Sequence, residues 1–355
     1  MNFENVCLES IGYILPDEIV TSTQIEEKLA PLYKRLRLPE GRLELLTGIS
    51  ERRFFPTGTL PSEVSIASTK RAIEVAEFDH KKVGALIHGS VCRDYVEPAT
   101  ACRVHHYAAL PSDCFVYDVS NACLGLLNGM LQVASLIESG QIQAGIVVGT
   151  ELGRNLVEKT IETLNTRLEL SRKDIKQTIA SLTIGSASCA VLLTDRSLSR
   201  SQNSFLGGQV YANTQHYALC HEAESDEARP LMETDSEELM KQGIVTGQTT
   251  FEKFLKTTNW SREGIQKTIC HQVGGTHRKL MLESLGLPIS QDFPSFPFLG
   301  NTGSAALPTT LALAAEQGHL VQNDNVALLG IGSGINCVMA ALHWQKSLIS
   351  GGSFS

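Results

Sequence analysis

The sequence has no closely spaced cysteine pair of the kind that binds a zinc ion or belongs to a disulfide framework. Its nine cysteines are scattered and odd in number, so they indicate neither a disulfide framework nor a zinc site. His216, Cys220 and His221 stand near one another, but their spacing is wrong for a tight metal site, and we expect no bound metal. Free thiols in this number are typical of a reducing compartment, which predicts a cytoplasmic location.

Long apolar runs and an excess of positive charge are also missing. No stretch reaches the roughly 18 apolar residues that a membrane span needs, so none is expected. Met1 to Cys7 carry no basic segment, and we expect no signal peptide. The formal net charge of −8 argues against general binding of nucleic acid, although a local basic patch can still hold an anionic substrate.

The chain does contain enough apolar sequence for a large core. With 355 residues, of which 42% are hydrophobic, it can fold as one or two domains. Short buried strands such as Val83–His88, Cys114–Val119 and Ala144–Glu151 alternate with amphipathic helices. This alternation predicts an α/β fold with mostly parallel sheets that helices cover.

Two segments of the chain repeat one pattern. Ser120–Gly140 and Leu299–Gly318 each run from a glycine-containing turn through a helix to a closing glycine, and a buried strand follows. When the closing glycines are aligned, Cys123 falls opposite Asn301. This self-similarity predicts a duplication, in which the two turns lie close together across a pseudo-twofold axis.

The duplication predicts two αβ halves, residues 1–198 and 199–355. A charged, leucine-spaced stretch at 154–180 interrupts the first half and is predicted to be helical. Because it lies between core strands, we expect it to cover a substrate pocket.

Cys123 lies where the strand Cys114–Val119 turns directly into a helix. The positive end of a helix dipole favours a thiolate, so this strand-turn-helix elbow predicts a lowered pKa and a nucleophile. Ser120, Ala122 and Gly125 are small and leave room for a carbonyl to approach. The alternative is that Cys123 fills a small space in the core, as buried cysteines usually do.

Three further features could serve a cysteine nucleophile, which needs a proton partner and donors for a developing oxyanion. His271 ends a short strand, Asn301 opens a helix, and Gly332–Gly334 exposes backbone N–H groups. Each feature also has an ordinary structural explanation: a packed histidine, a helix N-cap and a tight turn. Their joint order along the chain gives them more weight than they have separately.

In this order the sequence resembles the thiolase superfamily, in its ketoacyl synthase III-like branch. The matching stretches cover nearly the whole chain and are Thr47–Arg52, Ser120–Gly125, Cys270–Gln272, Gly300–Ser304 and Gly330–Gly334. The resemblance implies the thiolase fold, with duplicated halves that form a five-layered αβαβα sandwich. It also implies a homodimer.

The resemblance further implies roles for the residues in these stretches. Cys123, His271 and Asn301 would form a triad, in which Cys123 takes an acyl group from coenzyme A as a thioester. His271 and Asn301 would stabilise the enolate or thioester oxyanion of a second substrate. The backbone N–H groups of Cys123 and Gly334 would form the other oxyanion hole. Gly274 departs from the family's H-Q-A-N run, so carrier contacts at that position are not transferred.

The residue that generates the carbon nucleophile on the second substrate has to be sought in a different part of the chain. Ketoacyl synthase III enzymes obtain it by losing CO₂ from a malonyl group, whereas joining two plain acyl thioesters requires a base for the α-proton. Arg93–Pro98 and Arg37–Thr47 resemble the head-to-head acyl-CoA condensing enzymes of bacterial olefin biosynthesis. In those enzymes the glutamate that aligns with Glu97 is the α-proton base and comes from the partner subunit. Without the resemblance, Glu97 would be interpreted as an exposed loop carboxylate.

The resemblance therefore predicts a non-decarboxylative Claisen condensation of two fatty acyl-CoA thioesters through an acyl-cysteine intermediate, with a β-keto acyl product. Two alternatives stay open. One is a decarboxylating β-ketoacyl-ACP synthase III that uses acyl-CoA and malonyl-ACP, and the other is an acyltransferase of the same fold that acylates an alcohol or amine. All three use acyl-CoA or acyl-carrier-protein substrates, and none is expected to need a separate cofactor.

Overall fold

The computed structural model describes residues 1–221 and 233–354. Its strands are β1 (Val6–Leu15), β2 (Glu18–Thr21), β3 (Glu51–Phe54), β4 (Val83–Gly89), β5 (Phe115–Val119), β6 (Ala144–Glu151), β7 (Ala187–Asp195), β8 (Ser204–Ala212), β9 (Cys220–His221), β10 (Glu233–Thr234), β11 (Lys267–Cys270), β12 (Asn325–Gly332), β13 (Asn336–His343) and β14 (Ile349–Ser353). Its α-helices are α1 (Ser22–Lys28), α2 (Ala30–Leu36), α3 (Arg42–Thr47), α4 (Pro61–Ala76), α5 (Thr100–Tyr107), α6 (Gly125–Glu138), α7 (Arg154–Thr166), α8 (Arg172–Leu182), α9 (Ser236–Thr258), α10 (Gly275–Leu285), α11 (Phe296–Leu299) and α12 (Ala306–Glu316).

One large mixed sheet runs through the molecule. Its strands follow the order β11-β12-β13-β8-β1-β7-β6-β4-β5, and β14 pairs with β1. β1 and β8 are joined through a single residue pair, Cys7 with Ser204. The sheet therefore consists of two parts that meet at this narrow join.

The two parts share one strand arrangement. In the first, β4 is parallel to β6, and β7 is antiparallel to both β6 and β1. In the second, β11 is parallel to β12, and β13 is antiparallel to both β12 and β8. This is the repeated order that a duplication produces. The predicted boundary between residues 198 and 199 lies between β7 and β8, beside the join.

The expectation of mostly parallel strands is wrong. β12 and β13 are joined by a short turn that closes on the pair Gly332 and Asn336, and a short turn can connect only antiparallel neighbours. In the first half the chain leaves the sheet after β6, forms α7 and α8, and returns in the opposite direction as β7. The direction of each last strand is thus set by its connection, which hydrophobic patterning does not reveal.

Helices cover both faces of each part of the sheet. Along β7, Cys189 and Val191 pack with α6 and α12, whereas Ala190 and Leu192 pack on the opposite face with α4 and α5. On the other part of the sheet, α9 and α10 pack against β12 and β13. Ten of the eleven residues of α12 are buried, so this helix lies inside the molecule. The resulting order is the five-layered αβαβα sandwich that the resemblance implied.

A cap of helices lies beside the sandwich. The stretch predicted to be helical between residues 154 and 180 forms α7 and α8, which pack against α1, α2 and α3 through aliphatic side chains that include Ile25, Leu32, Leu164 and Leu182. α8 ends at Leu182, and the carbonyl of the next residue, Thr183, accepts the main-chain N–H of Asn301. Within the described residues, no helix combines the length and the apolar character that crossing a membrane requires.

Candidate active site

Cys123 lies in a sharp turn between β5 and α6. The preceding residue, Ala122, has a φ of 44°, a left-handed conformation that is unfavourable for a residue with a side chain. The turn brings the start of α6 directly against the end of β4, because a Cβ on Gly125 would lie only 2.8 Å from the main-chain carbon of Gly89. The strand-turn-helix arrangement predicted for Cys123 is therefore present, and a pair of glycines makes it possible.

The thiol of Cys123 is not activated by this position alone. Desolvation raises the pKa of Cys123 to about 12, and the nearby Glu151 carboxylate and Cys220 thiol add to the increase. The dipole of α6, which begins at Gly125, does not offset these effects. The expectation of a lowered pKa is wrong, and removing the proton from Cys123 requires a base.

His271 directly follows β11. Its main-chain N–H donates to the carbonyl of Leu329 in β12 at 3.0 Å. The residue is only 4% exposed, and its Nδ1 has no hydrogen-bond partner in the described part of the chain. Burial, together with the neighbouring His277, lowers the pKa of His271 to about 3. At neutral pH the ring is uncharged, so one ring nitrogen carries an N–H donor and the other is an acceptor.

A buried ion pair fixes the strand end that presents His271. The carboxylate of Asp292 accepts the main-chain N–H of Cys270 at 2.9 Å and the hydroxyl of Thr268 at 3.2 Å. Arg278 pairs with the same carboxylate at 2.6 Å. Burial raises the pKa of Asp292, and the Arg278 guanidinium opposes that shift. The donors around Asp292 thus compensate for burying its charge.

Asn301 occupies the second elbow, between α11 and the 3-10 turn Gly303–Ala305. Its main-chain N–H donates to Thr183 at 2.9 Å, and its carbonyl accepts from Gly185 at 2.9 Å. Its side-chain Oδ1 accepts the N–H of Gly303 at 3.0 Å, which leaves the amide Nδ2 as the donor for a ligand oxygen. The N-cap of α12 is Ala305, so Asn301 is not the helix cap considered from the sequence.

β12 joins the histidine to the cysteine elbow. Leu329 holds the main chain of His271, and a Cβ on Gly332 would lie 3.5 Å from the main-chain nitrogen of Cys123. Gly334, in the same turn, has a left-handed φ of 78°. The turn thus brings its backbone N–H groups to the region of Cys123, where an oxyanion hole was predicted.

Glu151 joins the cysteine elbow to the asparagine elbow. It raises the pKa of the Cys123 thiol, and its Oε1 accepts the hydroxyl of Ser304 at 2.5 Å. Ser304 belongs to the turn that follows Asn301. The structure therefore brings the elements that carry all three predicted triad residues to one place, while their catalytic roles stay predictions.

Glu97 lies on the surface of a single chain. It is exposed, in the loop between β4 and α5. Its neighbours Tyr95 and Val96 are 57% and 91% exposed, so the loop presents apolar side chains to the surface. In a single subunit Glu97 is thus a surface residue in an apolar surrounding.

Two buried residues of this site were missed from the sequence. Glu151 is the last residue of β6, all eight residues of which are buried. A carboxylate at the end of a wholly buried strand is a signal that could have been weighed. Gln272 was noted only as part of the resemblance, yet it is 1% exposed and hydrogen-bonded on both sides. Nothing in the sequence alone indicates its partners.

Comparisons with known proteins cover nearly the whole chain. Residues 255–344 match the family described as 3-oxoacyl-[acyl-carrier-protein (ACP)] synthase III C terminal. The acyl-CoA:acyl-CoA alkyltransferase of Shewanella oneidensis is 41% identical over 351 residues, which are 97% of this chain and 100% of that protein. The protein of the same name from Xanthomonas campestris is 32% identical over 344 residues, with 97% and 100% covered.

Solved structures also match this chain over nearly its whole length. A crystal structure of Xanthomonas campestris OleA matches with a TM-score of 0.92 at 32% identity and covers 97% of this chain and 98% of that one. Other structures of that OleA contain lauric acid and lauroyl-CoA, or cerulenin. Several replace one cysteine, one glutamate or one histidine. On identity over its full length, the chain belongs to the thiolase-fold family of acyl-CoA:acyl-CoA alkyltransferases, or OleA enzymes.

Proposed function

We propose that this protein condenses two fatty acyl-CoA molecules head to head, without decarboxylation, to give a β-keto acyl product. The observation that carries the proposal is the 41% identity to an acyl-CoA:acyl-CoA alkyltransferase over 97% of the chain. The cysteine, histidine and asparagine of the site supply a nucleophile, a neutral proton acceptor and an amide donor, which acyl transfer needs.

In the first step Cys123 becomes acylated. The thiol has a pKa of about 12, so its proton must leave as the sulfur attacks the thioester carbonyl, and the uncharged His271 can accept it. A C–S bond forms to Cys123, the C–S bond to coenzyme A breaks, and the proton leaves with the coenzyme A thiol. The backbone N–H groups of Cys123 and Gly334 are the proposed donors to the oxyanion.

In the second step a carbon–carbon bond forms. Glu97 of the partner subunit removes an α-proton from the second acyl-CoA, and His271 and Asn301 donate to the enolate oxygen. The α-carbon attacks the acyl-cysteine carbonyl, the C–S bond to Cys123 breaks, and the sulfur regains a proton. The product is a β-ketoacyl-CoA. All acid–base work in this scheme is done by side chains, so we propose that no cofactor is needed beyond the coenzyme A of the substrates.

A homodimer would bring Glu97 to the site of the other subunit. β5 is an edge strand of the sheet, and it leads directly into Cys123. Phe115 on this strand is 49% exposed, and Tyr107 and Val96 nearby in sequence are 54% and 91% exposed. An open strand edge with exposed apolar side chains favours pairing with another chain. Pairing there would place one subunit's Glu97 loop beside the other's cysteine elbow.

The acyl chain needs an apolar space, and the helical cap contains one. A shallow cleft, with about 340 Å³ of space that includes open solvent, lies between α1–α3 and α7–α8. Its lining is mainly aliphatic and consists of Leu29, Leu32, Tyr33, Leu38, Arg42, Leu43, Leu46, Leu164, Ile175, Ile179 and Leu182. Leu182 precedes Thr183, whose carbonyl accepts the main-chain N–H of Asn301. We propose this cleft as the acyl-chain pocket, in agreement with the expectation that residues 154–180 cover it.

We also propose a cytoplasmic location, supported by nine cysteines that are all free thiols.

A decarboxylating synthase remains the second candidate, because residues 255–344 match the synthase III C-terminal family. Incubation with myristoyl-CoA alone, and in parallel with myristoyl-CoA plus malonyl-ACP, separates the two. Coenzyme A release with a β-keto product of two myristoyl groups in the first tube supports condensation. Product and CO₂ in the second tube only would overturn it.

The base and the dimer can be tested together with two inactive variants. Cys123→Ser lacks the nucleophile, and Glu97→Gln should still become acylated but form no condensed product. In a mixed dimer, one site combines the intact Cys123 of one subunit with Glu97 of the partner subunit, so mixing should restore roughly a quarter of wild-type activity. Glu162→Gln, which alters an exposed carboxylate on α7, is the control and should leave activity unchanged. Full activity of Glu97→Gln would refute the role of Glu97.

A further inference from the structure

Glu151 is a buried carboxylate. It accepts three hydrogen bonds, and no cation among the described residues pairs with it. It is 6% exposed, at the end of β6. Its Oε1 accepts from the Ser304 hydroxyl at 2.5 Å, the Ser304 N–H at 3.3 Å and the Val91 N–H at 3.2 Å. Burying a carboxylate is costly even when it is hydrogen-bonded. Removing the side chain would leave all three donors without this acceptor.

The two residues that donate to Glu151 belong to different parts of the site. Val91 begins the loop that carries Glu97, and Ser304 belongs to the turn that follows Asn301. The carboxylate also acts on the thiol of Cys123, whose pKa it raises. The fit at this point is close, because a Cβ on Gly303 would lie 2.9 Å from Cγ of Glu151. One side chain therefore contacts both the base loop and the asparagine turn.

We propose that Glu151 is a positioning residue that ties the Glu97 loop to the Asn301 turn. This inference rests on the proposed condensation, in which Glu97 and Asn301 act on the same acyl-CoA.

The experiment compares Glu151→Gln, Glu151→Ala and Ser304→Ala with the wild type and with Glu162→Gln, a charge change on the exposed face of α7. Intact-mass measurement after addition of myristoyl-CoA reports acylation of Cys123, and product analysis reports condensation. Glu162→Gln should follow the wild type in both measurements.

Product formation tests the positioning role. The amide oxygen of Glu151→Gln can still accept from Ser304 and Val91, so its condensation rate should stay within about threefold of wild type. Glu151→Ala, and separately Ser304→Ala, should lose at least about tenfold in condensed product while Cys123 still becomes acylated. If Ser304→Ala and Glu151→Ala each form product at the wild-type rate, the positioning role of Glu151 is wrong. If the wild type makes no product from acyl-CoA alone, the proposed function fails. If the wild type makes product and Glu151→Ala makes as much, only the positioning role fails.

Discussion

Gln272 accepts the main-chain N–H of Ser295 at 2.8 Å through its side-chain oxygen. The same oxygen accepts the N–H of Phe296 at 3.0 Å, and the side-chain nitrogen donates to the carbonyl of Cys270 at 2.6 Å. Gln272 thus connects the end of the strand that presents His271 with the helix that leads to the Asn301 elbow. The two oxyanion donors proposed for the enolate are held at a fixed separation by one buried amide.

Gln272→Ala should weaken this connection and lower activity. It would leave three buried main-chain groups without their partner, so the free energy of unfolding should fall by about 2–4 kcal/mol. Condensation should decrease more than acylation of Cys123, because the enolate step uses both His271 and Asn301. Urea titration and intact-mass measurement of the acyl-enzyme check the two effects. The control is Gln248→Ala, which removes one exposed hydrogen bond to Ser284, and equal losses in both variants would contradict the prediction.

Three histidines with lowered pKa values make stability depend on pH. Burial lowers the pKa of His88 to about 4, of His271 to about 3 and of His277 to about 4, from an ordinary value of 6.5. A lowered folded-state pKa means that the unfolded chain binds the proton first, so stability is complete above pH 6.5 and is lost as the pH falls from there towards 4. The expected loss is about 1.4 kcal/mol per pH unit for each histidine in that range.

His277→Gln tests this linkage. It should reduce the slope of unfolding free energy against pH between 6 and 4.5 by roughly a third, since one of three contributing groups is removed. His106→Gln, at an exposed position on α5, should leave the slope unchanged. Chemical denaturation at a series of pH values gives both slopes, and an unaltered slope in His277→Gln would show that this histidine does not contribute.

Features that rest on local sequence pattern could be predicted from the chain. The elbow at Cys123 follows from a buried strand that stops at small residues, and the duplication follows from the second elbow at Asn301. Each depends on residues that are neighbours in sequence. The helical nature of 154–180 also follows from leucine spacing alone.

Features that depend on contacts between distant segments could not be predicted. The pKa of Cys123 depends on burial and on Glu151, which lies in a different strand, so the helix dipole gave the wrong sign when considered alone. The partners of Gln272 are in a loop more than twenty residues away. The antiparallel direction of β7 and β13 depends on how the chain returns to the sheet. The local sequence pattern does not show which distant segments come into contact.

The pKa values of Cys123 and His271 predict a flat pH profile for acylation. With the pKa of the thiol near 12 and that of the imidazole near 3, neither group changes charge between pH 6 and 9. The rate of acyl-enzyme formation from myristoyl-CoA should therefore vary by less than about threefold over this range. Rapid quench with intact-mass detection measures it, and Cys123→Ser should show no acyl adduct. A tenfold rise with pH would show that a preformed thiolate is the reactive species.

The cleft in the helical cap predicts which residues control chain length. Leu164 and Ile161 both lie on α7 and are buried in one cluster at 0% and 8% exposure, but Leu164 lines the cleft and Ile161 does not. Truncating either one should lower the free energy of unfolding by about 2–4 kcal/mol. Leu164→Ala alone should enlarge the cleft and raise the ratio of palmitoyl-CoA to decanoyl-CoA consumed in a mixture by several-fold, roughly 1 kcal/mol of discrimination. Competition assays below the melting temperature of both variants measure this ratio. If Ile161→Ala changes it as much as Leu164→Ala, stability rather than pocket shape governs the preference, and the acyl chain binds elsewhere.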